Sequence, residues 1–271
     1  MAAPFPEHPV IPILSPTGAA AIDAIARRRT FLAFDFDGTL APFQDDRRHA
    51  RMRDGTRDLL RAASLLYPCA VISGRTRADV AARVADVPLA AVVGNHGAEP
   101  GFGPLDERLA RRVAIWREGL ERALAGAEGV ELEDKRFSIA LHYRASRHPE
   151  AARARIGAAV TALEGAQSFE GHAVVNVLPD DAPTKGDAIE ALAARFGARL
   201  AVYVGDDRTD EEAFRSGVVE VSIRVGAGPG TAATHGLPDQ TRVDDLLRAL
   251  VAARARLDGR RWEGLVRAVA R

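Results

Sequence analysis

The sequence has a single cysteine in 271 residues, no excess of either charge, and no long uncharged apolar run. With only Cys69, an intramolecular disulfide and a cysteine-built zinc site are both excluded. Cys69 opens the apolar run Cys69-Ala-Val-Ile-Ser73, where it reads as a small buried side chain rather than a nucleophile. Lys and Arg number 37 against 37 Asp and Glu, a formal net charge of zero. That balance argues against a nucleic-acid partner, because such proteins neutralise phosphates with a surplus of cations. The one dense cationic run, Arg27 to Arg29, closes a predicted helix just before a strand, where positive charge suits the helix dipole. The first residues lack a basic segment and are interrupted by Glu7 and prolines, so no secretory signal is expected. The uncharged stretch from His8 to Ile22 holds three prolines and cannot cross a bilayer as a helix. A soluble, cytoplasmic protein without a membrane partner is expected.

What is present is an alternation of short apolar runs with amphipathic stretches. Phe31 to Phe34, Ala70 to Ile72, Leu89 to Val93, Ala201 to Val204 and Val219 to Ile223 predict strands. The first four are nearly continuous in apolar residues, as befits parallel strands covered on both faces. Helical patterns run over Arg57 to Leu66, Arg77 to Val84, Asp187 to Phe196 and Asp210 to Arg215. The order predicts a doubly wound parallel sheet of the α/β class. The middle differs: a helix over Leu105 to Ala125, strands over Val130 to Glu133 and Phe137 to Tyr143, a helix over Pro149 to Leu163, and a strand over Ala173 to Leu178. We therefore expect a core of residues 1–100 and 182–271, with an α+β domain inserted over 101–181. Gly101 to Pro104 and Pro179 to Pro183 would serve as hinges. Trp116 and Trp262 fall on apolar helical faces and read as packing residues, and His8, His148, His172 and His235 have no spacing that suggests ligation.

The strongest chemical signal is Phe34-Asp35-Phe36-Asp37-Gly38-Thr39, directly after a buried strand. Carboxylates at a strand's carboxyl end lie where open α/β sheets bind ligands. Asp35 could attack an electrophile or hold a hard cation, and Asp37 could exchange a proton. Gly38 permits a tight turn whose N–H groups face an anion; a plain Asp-Gly turn would look the same in isolation. Gly205-Asp206-Asp207-Arg208-Thr209-Asp210 follows another apolar strand. Its three carboxylates repel one another unless a cation is bound, and without cysteine or a local histidine the fitting ion is Mg²⁺. The same residues also suit a helix start, and the two uses are compatible. Ser73-Gly74-Arg75 ends a strand and Thr184-Lys185-Gly186 opens a helix; alone, each is ordinary turn or cap chemistry. As a set, the four motifs assemble a nucleophile, a hydroxyl, an ammonium and a metal around one phosphate.

In this order the motifs resemble those of the haloacid dehalogenase-like (HAD) phosphatases, over nearly the whole chain, with the insertion in the place of the C2-type cap. More narrowly, Val93 to Glu99, Glu133 to Lys135, Ala140 to Arg144, Pro183 to Ile189 and Gly205 to Glu211 look like trehalose-6-phosphate phosphatases. The resemblance implies that Asp35 attacks phosphorus to form an aspartyl-phosphate, and that Asp37 protonates the leaving sugar oxygen and then activates water. It implies Mg²⁺ held by Asp35, the Asp37 carbonyl and Asp206, with Asp207 and Asp210 nearby, and phosphate bound by Gly38, Ser73, Gly74 and Lys185. Arg75, Asn95, His96, Glu133, Lys135, His142, Arg144 and Asn176 would meet substrate. Some of these have plainer uses: Asn95 and His96 as turn residues, Glu133 and Lys135 as a surface ion pair. Asn176 stands where that family carries Glu in the final cap strand, and Leu178 where it carries a basic residue. Another sugar phosphate, of the sucrose phosphate or mannosyl-phosphoglycerate type, is therefore the rival substrate. An inactive sugar-phosphate-binding module is the rival outside catalysis, although none of the acidic motif residues is missing.

Overall fold

A computed structural model of the chain describes residues 9–44, 47–171, 173–226, 230–259 and 261–269. His8 and His172 lie outside the described residues. The elements run β1 (Ile11–Pro12), α1 (Ala19–Arg27), β2 (Thr30–Phe34), α2 (Asp54–Ser64), β3 (Cys69–Ile72), α3 (Arg77–Arg83) and β4 (Ala91–Val93). There follow α4 (Glu107–Ala123), β5 (Glu131–Asp134), β6 (Ile139–His142), α5 (Pro149–Thr161), β7 (Ala166–Gly171) and β8 (Val174–Pro179). The chain then continues through α6 (Lys185–Arg195), β9 (Leu200–Gly205), α7 (Asp210–Arg215), β10 (Val221–Val225), β11 (His235–Leu237), α8 (Val243–Leu257) and α9 (Trp262–Val269). No helix among the described residues is long and apolar enough to cross a membrane.

The chain divides into two compact units. Met1–Gly97 and Thr184–Arg271 form one, and Ala98–Pro183 the other. The first unit holds a seven-stranded sheet in the order β1-β11-β10-β9-β2-β3-β4, with every pairing parallel. Its central strands are apolar throughout because both faces are covered. Leu32 and Phe34 point into a core with α1, α2 and α8, while Phe31 and Ala33 point into a second core with α6 and α7. From β2 the order runs outward through β3 and β4 on one side and β9 and β10 on the other. The β2/β9 seam is thus a topological switch point, where connections leave in opposite directions and a crevice opens at the strands' carboxyl ends. Asp35 follows β2 and Asp206 follows β9, so the topology alone sets these residues beside each other.

The second unit is a four-stranded antiparallel sheet in the order β5-β6-β8-β7. One face carries Ile139, Leu141, Val175 and Val177, packed on Val113, Trp116 and Leu120 of α4 and Ile156 of α5. The opposite face carries Glu133, Ala140 and Asn176, which lie in one cross-strand row. Gly101 to Pro104 falls inside this unit, and Pro179 ends β8 rather than standing in a loop. The doubly wound sheet with an α+β insertion is as the sequence predicts. Four elements were not predicted: β1, β7, β11 and α8. β7 is an edge strand, mostly exposed, with no apolar alternation to reveal it, and β1 and β11 are two and three residues long.

Candidate active site

The site is built at the carboxyl ends of β2 and β9. The ladder runs one residue past β2, with the Asp35 N–H donating to the Val204 carbonyl at 2.9 Å, so the Asp35 backbone is fixed by the sheet. The chain then turns sharply, with the Gly38 N–H donating to the Ala41 carbonyl at 2.8 Å. Gly38 adopts φ +77°, and a Cβ there would stand 2.1 Å from Asp206 Oδ2. Only glycine fits both the conformation and the space. Lys185, in the first turn of α6, is aimed by a capping box: Thr184 accepts from the Asp187 N–H, and the Asp187 carboxylate accepts from the Thr184 N–H. Lys185 Nζ donates to Asp35 Oδ1 at 3.0 Å and to Asp210 Oδ1 at 2.6 Å.

Asp210 organises the loop after β9. Its Oδ1 also accepts from the Tyr203 hydroxyl at 2.6 Å, and its Oδ2 accepts from the N–H groups of Asp206 and Asp207 at 2.8 and 3.0 Å. Four donors occupy the four lone-pair positions of a carboxylate, so Asp210 has its acceptor capacity filled. Burial disfavours its charge, but Lys185 and these donors together hold it below the usual carboxylate range. Asp206 accepts from Thr39 Oγ1 at 3.0 Å. Asp207 turns outward and is exposed, its Oδ1 accepting from the backbone N–H and hydroxyl of Thr209.

Carboxylate oxygens of Asp35, Asp206 and Asp210 lie within 4.8 Å of one another. At that spacing each pair of negative charges repels by roughly 3–4 kcal/mol even at an effective dielectric of about 20. One ammonium cannot offset three carboxylates. Burial, with its neighbours' charges, accordingly pushes Asp35 well above the ordinary carboxylate range, against the pull of Lys185, and burial with Asp210 and Asp207 does the same to Asp206. A hard divalent cation relieves this imbalance, and the oxygen-only donor set fits one. With Asp210 saturated, Asp35 and Asp206 are the carboxylates with lone pairs to offer.

Asp37 lies to the side of this cluster. Both its oxygens accept from Arg75, Oδ2 from Nε at 2.6 Å and Oδ1 from an η nitrogen at 2.7 Å. Ser73 and Gly74 belong to the turn after β3, which is braced from behind. The His96 N–H donates to the Ser73 carbonyl at 3.0 Å and the Asn95 N–H to the Arg75 carbonyl at 2.7 Å. Those two donors converge because Asn95 and His96 both adopt left-handed backbone, φ 49° and 58°. Such conformations cost of order 1–3 kcal/mol each and persist where the surroundings impose them. A Cβ on Gly74 would stand 2.3 Å from the His96 ring, which explains the glycine. Asn95 and His96 thus support the turn after β3 through their backbone.

In the second unit, His142 Nε2 lies 3.2 Å from Glu133 Oε2, and Lys135 Nζ lies 4.0 Å from the same oxygen. Lys135 and Asn176 are both buried. Arg144 stands past the end of β6, exposed. Tyr203 and Thr39 belong to the first unit's site, although sequence reasoning did not single them out. Tyr203 carried a signal: a phenol inside an otherwise aliphatic buried strand needs a hydrogen-bond partner.

The parallel sheet with its crevice has the fold also found in a protein described among the phosphatases of the haloalkanoate (HAD) enzyme superfamily, with a TM-score of 0.57 and 14% identity. The trehalose-phosphatase family profile matches residues 33–235, and the chain belongs to that family. It is 35% identical over 216 residues to a trehalose-phosphate phosphatase of Mycobacterium avium, covering 73% of this chain and 53% of the relative. An uncharacterized glycosyl hydrolase of Mycobacterium tuberculosis is 36% identical over 208 residues, 69% of this chain but 15% of its own length. The C-terminal domain of Candida albicans trehalose-6-phosphate phosphatase shares the fold, with a TM-score of 0.69 and 18% identity over 91% of this chain and 99% of that one. The chain spans about half the length of the curated trehalose-phosphate phosphatases it matches.

Proposed function

We propose that this chain hydrolyses trehalose 6-phosphate to trehalose and phosphate, using Asp35 as nucleophile. The observation that carries this reading is the meeting of Asp35, Asp206 and Lys185 at the switch point, in a chain of the trehalose-phosphatase family. A phosphate dianion and a carboxylate repel unless positive charge lies between them. Lys185, already against Asp35, supplies part of that charge, and Asp35 with Asp206 would hold a Mg²⁺ that supplies the rest and polarises the phosphoryl oxygens. An Asp35 oxygen forms a bond to phosphorus as the bond from phosphorus to the sugar oxygen breaks. Asp37 gives its proton to that departing oxygen, then takes one from the water that cleaves the aspartyl-phosphate. Ser73 and the Gly74 N–H bind the phosphoryl oxygens, whereas the Gly38 N–H, expected to do so from the sequence, is spent on the Ala41 carbonyl.

We propose the inserted unit as the sugar-recognising cap. Its support is the polar row of Glu133 and Asn176, with His142 and Lys135 gathered at Glu133, on the sheet face opposite the helices. The Asn at position 176 favours a second reading, in which the cap selects a different sugar phosphate. Phosphate release measured across trehalose 6-phosphate, sucrose phosphate and mannosyl-phosphoglycerate, with and without Mg²⁺, decides between them. The proposal expects trehalose 6-phosphate first and no turnover after chelation. A tenfold preference for another ester transfers the assignment to that sugar, and full activity after exhaustive chelation removes the metal from it.

A further inference from the structure

Arg75 is one link in a run of alternating charges that extends away from the site. Its Nε and one η nitrogen hold both oxygens of Asp37, and its other η nitrogen donates to Asp79 Oδ2 at 2.7 Å. Asp79 Oδ1 accepts from Arg83 Nε at 3.1 Å, and Arg83 in turn donates to the backbone carbonyl of Ala50. Asp79 and Arg83 lie one turn apart on α3, and Arg75 stands just before the helix's N-cap, Thr76, four residues ahead of Asp79. Arg75 is buried, and its guanidinium lies over the Phe36 ring, 5.7 Å from the centroid. A guanidinium gripped on one edge by Asp79 and resting on an aromatic face has a fixed plane, and a bidentate pair transmits that plane to its partner.

We propose that Asp79 and Arg83 are positioning residues for proton transfer: they fix Arg75, which orients the Asp37 carboxylate toward the leaving oxygen. Arg75 occupies one lone pair on each Asp37 oxygen and leaves another on each for the proton. The proposal rests on the reading of Asp37 as proton donor, and it concerns residues outside the motifs of the site. Misplacing a proton donor slows only those esters whose leaving group must be protonated. Alkyl phosphates such as trehalose 6-phosphate are of that kind, whereas p-nitrophenyl phosphate releases a stable anion.

The test compares kcat/KM, which reports the first phosphoryl transfer, for the two esters in the full chain with Mg²⁺. Asp79→Asn and Arg83→Met are each expected to lose about tenfold or more on the alkyl ester and less than about twofold on the aryl ester, since general acid catalysis contributes roughly 10²–10⁴-fold. Arg83→Lys should restore part of the loss. Asp37→Asn should give the same selectivity more strongly, and adding Asp79→Asn to it should cost nothing further. Equal losses on both esters, or none, would overturn the positioning role. An Asp37→Asn variant that slows both esters alike would instead remove the proton-donor reading, which separates that failure from a failure of the chain. Should Asp79→Asn not fold, the two Arg83 variants carry the same comparison.

Discussion

Asp35→Asn keeps the size of the side chain and its contact with Lys185 but removes the proposed nucleophile, so turnover should vanish while the thermal transition stays in place. A folded Asn variant that still releases phosphate at a substantial rate excludes the covalent step. Gly38→Ala tests the fit of the turn. Its Cβ would enter the Asp206 carboxylate, so activity should fall by at least tenfold, with the larger effect at low Mg²⁺, read from a metal titration of the rate. Asn176 sits in the row of Glu133 across β6, and Asn176→Glu would restore a charged acceptor there. A hydrogen bond to a charged group contributes about 1.5–3 kcal/mol against about 0.5–1.5 for a neutral one, so a gain of about five- to tenfold in kcat/KM for trehalose 6-phosphate is expected. An unchanged or lower value would mean that this row does not meet the sugar. At this scale the sequence revealed residue types but not their bonds. Asp210 reads as one more acidic ligand in a cluster, whereas its oxygens are spent on Lys185, Tyr203 and two backbone amides. Likewise Arg75 reads as a substrate contact beside Ser73, and the sequence gives no hint that it also holds Asp37 and Asp79.

The elements that carry the site were legible because burial on both faces writes itself as unbroken apolar runs, as in β2, β3 and β9. β7 was not legible, because an edge strand mostly in solvent has no such signature. α8 packs Leu246, Leu247 and Leu250 into the larger core, and Tyr67 donates to the Leu250 carbonyl at 3.0 Å. Leu250→Ala should therefore cost about 2–5 kcal/mol of unfolding free energy, measured in urea, with little change in KM. β3 offers a second test through Cys69, whose burial pushes its thiol up to about 12 from 9.0. The native state binds that proton more tightly than the unfolded chain. The stability linked to it is thus complete below about pH 9 and falls as pH rises toward 12, by up to about 1.4 kcal/mol per pH unit. At pH 8 an alkylating reagent should modify Cys69 only as fast as the sheet opens.

At the scale of the molecule, residues 98–183 are one continuous stretch with its own sheet and its own core around Trp116, Ile139 and Val177. Expressed alone, that stretch should unfold cooperatively and give dispersed amide signals; a featureless spectrum would show that it depends on the rest. The other unit has no such independence, because it is assembled from two separated stretches joined along β2 and β9. That seam has a consequence for biosynthesis. β2 emerges from the ribosome before β9 and must wait for that partner about 170 residues behind it, an interval of roughly ten to thirty seconds at about 5–20 residues per second. During that wait β2, β3 and β4 expose an unpaired apolar edge, while the inserted unit, complete and contiguous, is free to fold first. Asp35, the proposed nucleophile, stays apart from Lys185 until 150 further residues have been made and from Asp206 for longer still, so the nascent chain carries this carboxylate long before the site around it can form.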